Sequence, residues 1–205
     1  MGLPTALYPL GNDNGNELYD SKIEYLESTG TQYINTGIKG NQFTVVQLEF
    51  ALTDFDTSTD MPIFGVRSAW GVSQFCSYRD SSLNGQIVFN YGNNRDTSYI
   101  QSGIIGNNGN WHTAQFARAC KLDNFSKTMP FYSFTTANNL LLFGFISGGT
   151  YNCGKLRVKS CKILKNSDIV RNYIPVRIGQ KGYMFDKVNR TLNGGDRNFV
   201  LGPDI

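Results

Sequence analysis

The chain has 205 residues and a formal net charge of +3, and it carries 22 Gly, 14 Phe and 11 Tyr against four Glu. Helices draw on Glu, Ala, Leu and Lys, so this composition excludes a helical bundle, whereas aromatic residues between Gly and Asn clusters favour strands and turns. The basic residues are scattered rather than massed along a phosphate-tracking surface, and no apolar run approaches the roughly 20 residues of a membrane span. Neither nucleic acid nor a membrane is an expected partner.

Residues 1–20 differ from the rest and are read as an arm preceding one domain over 21–205. Leu3, Leu7, Tyr8 and Leu10 lie in a stretch punctuated by Pro4 and Pro9, and the run Gly11-Asn12-Asp13-Asn14-Gly15-Asn16 follows. Proline discourages helix and central strand alike, and a Gly/Asn run makes a flexible connector. The four apolar side chains are expected to anchor the chain on another subunit; the plainer reading is a solvated tail. The first residues carry neither a charged n-region nor an apolar h-region of a secretory signal, and position 6 is Ala rather than the Ser or Thr of a myristoylation pattern. Synthesis and retention in the cytoplasm, or release by lysis, is therefore expected.

The domain reads as successive strands. Along residues 43–52 the alternation puts Val46, Leu48, Phe50 and Leu52 on the core face. Residues 62–67 and 70–78 read as a hairpin, and residues 86–91 place Ile87, Phe89 and Tyr91 on one face. Further strands are predicted around Trp111 and Ala114 to Cys120, then over 140–145, 156–164, 169–175 and 183–186. The total is about a dozen, as a two-sheet antiparallel sandwich requires.

Few residues suit catalysis. Hydrolysis of a glycosidic bond usually needs two flanking carboxylates. All four Glu precede residue 50, and Glu24 and Glu27 would lie on opposite faces of a strand. His112 has no Gly-x-Ser-x-Gly nucleophile motif to serve, so a hydrogen-bonded structural histidine is expected and no catalytic residue is assigned. Cys76, Cys120, Cys153 and Cys161 lack Cys-x-x-Cys spacing, and a single His cannot complete a zinc set. Free thiols are expected, as in chains assembled in the cytosol. The run Asp54-Phe55-Asp56-Thr57-Ser58-Thr59-Asp60 is the best candidate for calcium, which takes several oxygen ligands. It lacks the Gly and terminal Glu of an EF-hand loop, so a solvated acidic turn is expected, with no metal site and no cofactor.

Sugar recognition needs aromatic faces beside planar polar groups. Two loop regions offer that mixture, and Tyr78, Arg79, Tyr91, Asn93, Asn94 and Arg95 are the candidate glycan contacts. The alternative is that Tyr and Asn simply decorate turns.

The run Gly109-Asn110-Trp111-His112-Thr113 resembles the Trp-His-Thr signature of laminin-G-like domains in the concanavalin A-like superfamily. Residues 23–37 resemble the opening strand and turn of that family, and residues 154–163 a late strand. Residues 171–176 with 182–189 resemble the closing hairpin found in gut bacteria and their phages. The resemblance implies a jelly-roll β-sandwich, raises the expectation for calcium, and leaves the ligand open, since fold does not fix function. Taken with the lack of a secretory signal pattern, the unpaired cysteines and the apolar arm, it points to a non-enzymatic virion protein of a phage, a fibre, tail or capsid-decoration component. Such a protein would display a carbohydrate-binding-type domain toward a host-surface glycan and contact other virion subunits or its own copies through the arm. Two further readings stay open: a bacterial cell-surface or secreted glycan-binding adhesin module, and a glycoside hydrolase or lyase of the same fold.

Overall fold

The computed structural model describes residues 18–67, 73–92, 99–106 and 109–205. Among these residues the chain forms one sheet of eleven strands and one of eight, with a single 3-10 turn at Ser81–Leu83 and no α-helix. This is the two-sheet β-sandwich expected from the composition, built from more and shorter strands than the sequence suggested. Pairing is antiparallel except where Gly144–Ser147 runs parallel to Met61–Arg67.

The centre of the larger sheet is Thr44–Leu52 against Lys155–Lys165, paired from Leu52 opposite Leu156 to Thr44 opposite Lys165 with a register shift between Val158 and Ser160. The predicted alternation holds. Val46, Leu48, Phe50 and Leu52 are at most 2% exposed, and His112–Phe116 pairs along the other edge of that strand. In the smaller sheet the hairpin of Gly144–Ser147 and Thr150–Cys153 lies at one edge. Met61–Arg67, Gln74–Asp80, Gln86–Gly92 and Tyr99–Ile105 follow in order.

Aromatic rings fill the space between the sheets. Phe64 and Phe116 have centroids 4.7 Å apart, Phe75 and Phe89 5.2 Å, and Phe89 and Phe116 5.3 Å. Tilted and edge-on pairs of this kind each contribute about 0.5–1.5 kcal/mol beyond their burial.

Two runs predicted as single strands are broken. The chain bends at Ala117 and Arg118, so that Ala119–Leu122 folds back antiparallel to His112–Phe116. Phe143, with φ of 68°, separates Thr135–Leu142 from Gly144–Ser147. Left-handed backbone costs a non-glycine residue about 1–2 kcal/mol; burying the Phe143 ring 4.9 Å from that of Phe199 offsets it. Gly65 is obligatory: its φ is +115°, and a Cβ there would meet the Phe75 carbonyl oxygen at 2.0 Å. The strand bends at this point, just before Arg67.

The four cysteines are free thiols. Cys76, Cys120 and Cys161 are buried within strands, and burial pushes each thiol up to about 12, leaving them unreactive at neutral pH.

Candidate functional site

An open cleft of about 640 Å³ lies at the edge of the smaller sheet, walled by the hairpin of Gly144–Ser147 and Thr150–Cys153 and by Met61–Arg67. Its volume is in the range of small-ligand sites, roughly 300–1,000 Å³. The hairpin turns at Gly148 and Gly149, whose φ values are +55° and +84°. A two-residue turn with both φ positive matches the twist of the strands it joins. It sets Ser147 opposite Thr150 and Ile146 opposite Tyr151.

Tyr151 is 49% exposed and stacks on Tyr33 at 4.6 Å with an interplanar angle of 15°. The Arg197 guanidinium lies 3.8 Å from the centre of the same Tyr33 ring. Both contacts are too close to share one face, so Tyr33 is held between them and steadies Tyr151 from behind. The outer face of Tyr151 is left as a fixed aromatic platform at the cleft wall, and fixing it in advance lowers the entropy cost of stacking a ligand. Ser147, Thr150 and Asn152 supply hydroxyl and amide groups beside it. The Asn152 amide nitrogen donates to the Thr150 carbonyl oxygen at 3.1 Å, which orients its amide oxygen.

Arg67 and Asp60 supply the charge. The Arg67 guanidinium lies 4.6 Å from the Tyr78 ring centre and 5.7 Å from that of Phe145, and Nη1 donates to Asp60 Oδ2 at 3.0 Å. Asp60 Oδ1 accepts from the Ser81 amide at 3.0 Å and the Ser81 hydroxyl at 2.9 Å. Cys153 ends the Thr150–Cys153 wall; burial pushes its thiol up, and the nearby Arg197 charge partly offsets this.

Three of the residues expected to meet a glycan are buried, two of them because strand alternation turns them inward. Tyr91 shares a face with Ile87 and Phe89 in the core: it is 0% exposed, lies 5.0 Å from Phe134, and donates its hydroxyl to the Gln42 carbonyl oxygen at 3.2 Å. Arg79 is also 0% exposed, and its guanidinium donates to the carbonyl oxygens of Asp54 and Asp56. Tyr78 is on the outer face but only 3% exposed beneath Arg67 and Phe145, and burial pushes its hydroxyl up to about 12. None of the three offers a ring or fork to a ligand. Tyr78 instead supports two residues that line the cleft. Asn93, Asn94 and Arg95, like Leu3, Leu7, Tyr8 and Leu10 of the arm, lie outside the described residues.

The acidic run is organised from within. Asp54 pairs with the Lys155 ammonium at 2.7 Å, which holds its carboxyl below the usual range. Asp56 accepts from the amide and hydroxyl of Ser58, each at 2.9 Å, and is lowered in the same sense. The Arg79 guanidinium takes the loop carbonyls that a calcium ion would need. Among the described residues no group of three His, Cys, Asp or Glu side chains could hold a metal ion.

His112 is 4% exposed, and its Nδ1 lies 2.7 Å from Asp123 Oδ2, whose other oxygen accepts from the Thr113 amide at 2.9 Å. It is tied into the sheet as a structural residue. Nearby, Arg157 lies over the Tyr25 ring at 4.7 Å and pairs with Glu27 at 2.6 Å, and Lys159 lies over Trp111 at 4.1 Å and pairs with Glu24 at 3.1 Å. Each of those cations has both a ring and a carboxylate.

The sequence reading missed Tyr151, Asn152 and Arg67. The adjacent Gly148 and Gly149 between short strand-like runs were the available signal for the hairpin, but not for what it would face.

No protein-family model matches the chain, and no curated protein matches it. Among solved structures, a crystal structure of a "putative carbohydrate binding protein" from Bacteroides ovatus ATCC 8483 is similar to it, with a TM-score of 0.56, 7% sequence identity and 89% of this chain covered. The chain spans 60% of that protein's length. At that identity the likeness is one of fold, and it places the protein among β-sandwiches.

Proposed function

We propose that the protein is a carbohydrate-binding β-sandwich that holds its ligand in the cleft beside Tyr151 without cleaving it. The observation that carries this reading is the pre-set Tyr151 face next to the polar groups of Ser147, Thr150 and Asn152, the combination sugar recognition requires. The Bacteroides ovatus structure supports the same class of ligand. Among the described residues lining the cleft Asp60 is the one carboxylate, and its oxygens accept from Ser81 and Arg67. A glycosidase needs a second carboxylate across the scissile bond, so binding without turnover is the better account.

A glycan array followed by calorimetry on the best oligosaccharide tests the reading. Tyr151→Ala should weaken binding about tenfold, corresponding to ~1.4 kcal/mol of stacking, while the thermal midpoint stays near the wild type. Unchanged affinity would place the sugar elsewhere, and release of new reducing ends would contradict the non-enzymatic reading.

The context in which the domain acts rests on the sequence resemblance. We propose a laminin-G-like, concanavalin A-like domain displayed on a phage particle and attached through Leu3, Leu7, Tyr8 and Leu10. Deleting residues 1–16 should leave a folded sandwich that no longer incorporates into particles; normal incorporation would refute the anchoring role.

A further inference from the structure

The cleft carries more hydrogen-bond donors of positive charge than its own acceptors use. Arg67 has five N–H donors in a planar fork, and among the described residues one of them is bonded, to Asp60. The ring contacts with Tyr78 and Phe145 occupy its face and leave its edge, with a side chain 31% exposed at the cleft. Asp60 takes one of those donors on Oδ2, while its Oδ1 accepts from the Ser81 amide and hydroxyl.

Arg197 is a second cation near the cleft, behind the residues that line it. It stacks on Tyr33, and its charge reaches the Cys153 thiol that lines the cleft. Its ion-pair partner is Asp196 at 3.9 Å, a carboxylate 78% exposed, so the pairing is loose. Arg157 and Lys159 each have a ring and a carboxylate but neither lines the cleft, whereas Arg67, paired in the same way, also lines it.

We propose that the cleft selects an acidic saccharide, with the carboxylate of a uronic-acid unit on the free edge of Arg67 and its ring against Tyr151. A planar carboxylate matches the guanidinium fork with two parallel hydrogen bonds. The inference rests on the carbohydrate-binding reading of this cleft and adds the class of sugar.

The test uses the full chain in calorimetric titrations against three forms of one oligosaccharide: the uronate, the same oligomer with carboxyls reduced to alcohols, and a sulfated version of the reduced oligomer. Wild type should bind the uronate at least tenfold more tightly than the reduced form and more tightly than the sulfated form, with the margin shrinking as salt rises. Arg67→Met should lower uronate affinity about tenfold and affect the reduced sugar much less, and Arg67→Lys should recover only part of the loss. Equal or tighter binding of the reduced oligomer would overturn the acidic preference while leaving the carbohydrate reading intact. Preference for the sulfated form would overturn the carboxylate assignment. Binding of none of the three, nor of any neutral array glycan, would overturn both. If Arg67→Met fails to fold, the wild-type comparison among the three sugars still decides.

Discussion

Arg79 and Arg67 contact the same acidic loop from opposite faces of one sheet, and they do different work. Arg79 lies on the inner face, with no exposure, and holds the backbone of Asp54 and Asp56. Arg67 lies on the outer face, holds the side chain of Asp60, and lines the cleft with a partly exposed side chain. A guanidinium is a structural part when its donors all turn inward and a recognition group when its edge is left over. The difference comes from the one-residue alternation of the strands that carry them.

The comparison is broken most severely from the inner face. Tyr91→Ala should destabilise the fold by about 4 kcal/mol in urea denaturation, as removal of a fully buried aromatic ring does. Arg79→Met should cost about 3 kcal/mol, because it strands the carbonyl groups of the loop that the charge satisfied. Arg67→Met should cost about 1 kcal/mol or less, since its ion pair is partly exposed and the methionine stem keeps much of the packing on Tyr78 and Phe145. Equal losses at Arg79 and Arg67 would refute the division of roles.

The smallest expected effect is on pH dependence. Lys155 holds the Asp54 carboxyl below its unfolded value of about 3.9. A group depressed on folding adds stability that is complete above the unfolded value and disappears as pH falls through the folded one. The unfolding midpoint should therefore drop below about pH 4, and Asp54→Asn should flatten that limb without changing the midpoint at neutral pH by more than the loss of one exposed ion pair. An acid limb identical in wild type and variant would show that Asp54 plays no part.

Much of the fold was legible because strand alternation is local. Val46, Leu48, Phe50 and Leu52 could be assigned to the core from their spacing alone, and so could Tyr91, from its place beside Ile87 and Phe89. Reading Tyr91 as a glycan contact set composition above periodicity, and periodicity was the stronger signal. The broken runs were less legible: nothing in the letters at Phe143 announces a left-handed backbone, which depends on the distant Phe199 to bury its ring. The cleft was least legible of all. Arg67 and Tyr151 are far apart in sequence and line one cleft because Gly144–Ser147 pairs with Met61–Arg67, and Tyr33 and Arg197 join Tyr151 from outside the strands.

The most direct test of the central claim is chemical-shift mapping of the isotope-labelled protein during titration with its tightest-binding oligosaccharide. Binding in the cleft predicts the largest amide shifts at Asp60, Arg67 and Ser147 through Cys153, with Trp111, Arg157 and Lys159 unmoved. Shifts concentrated on the Trp111 face, with the cleft silent, would contradict the account.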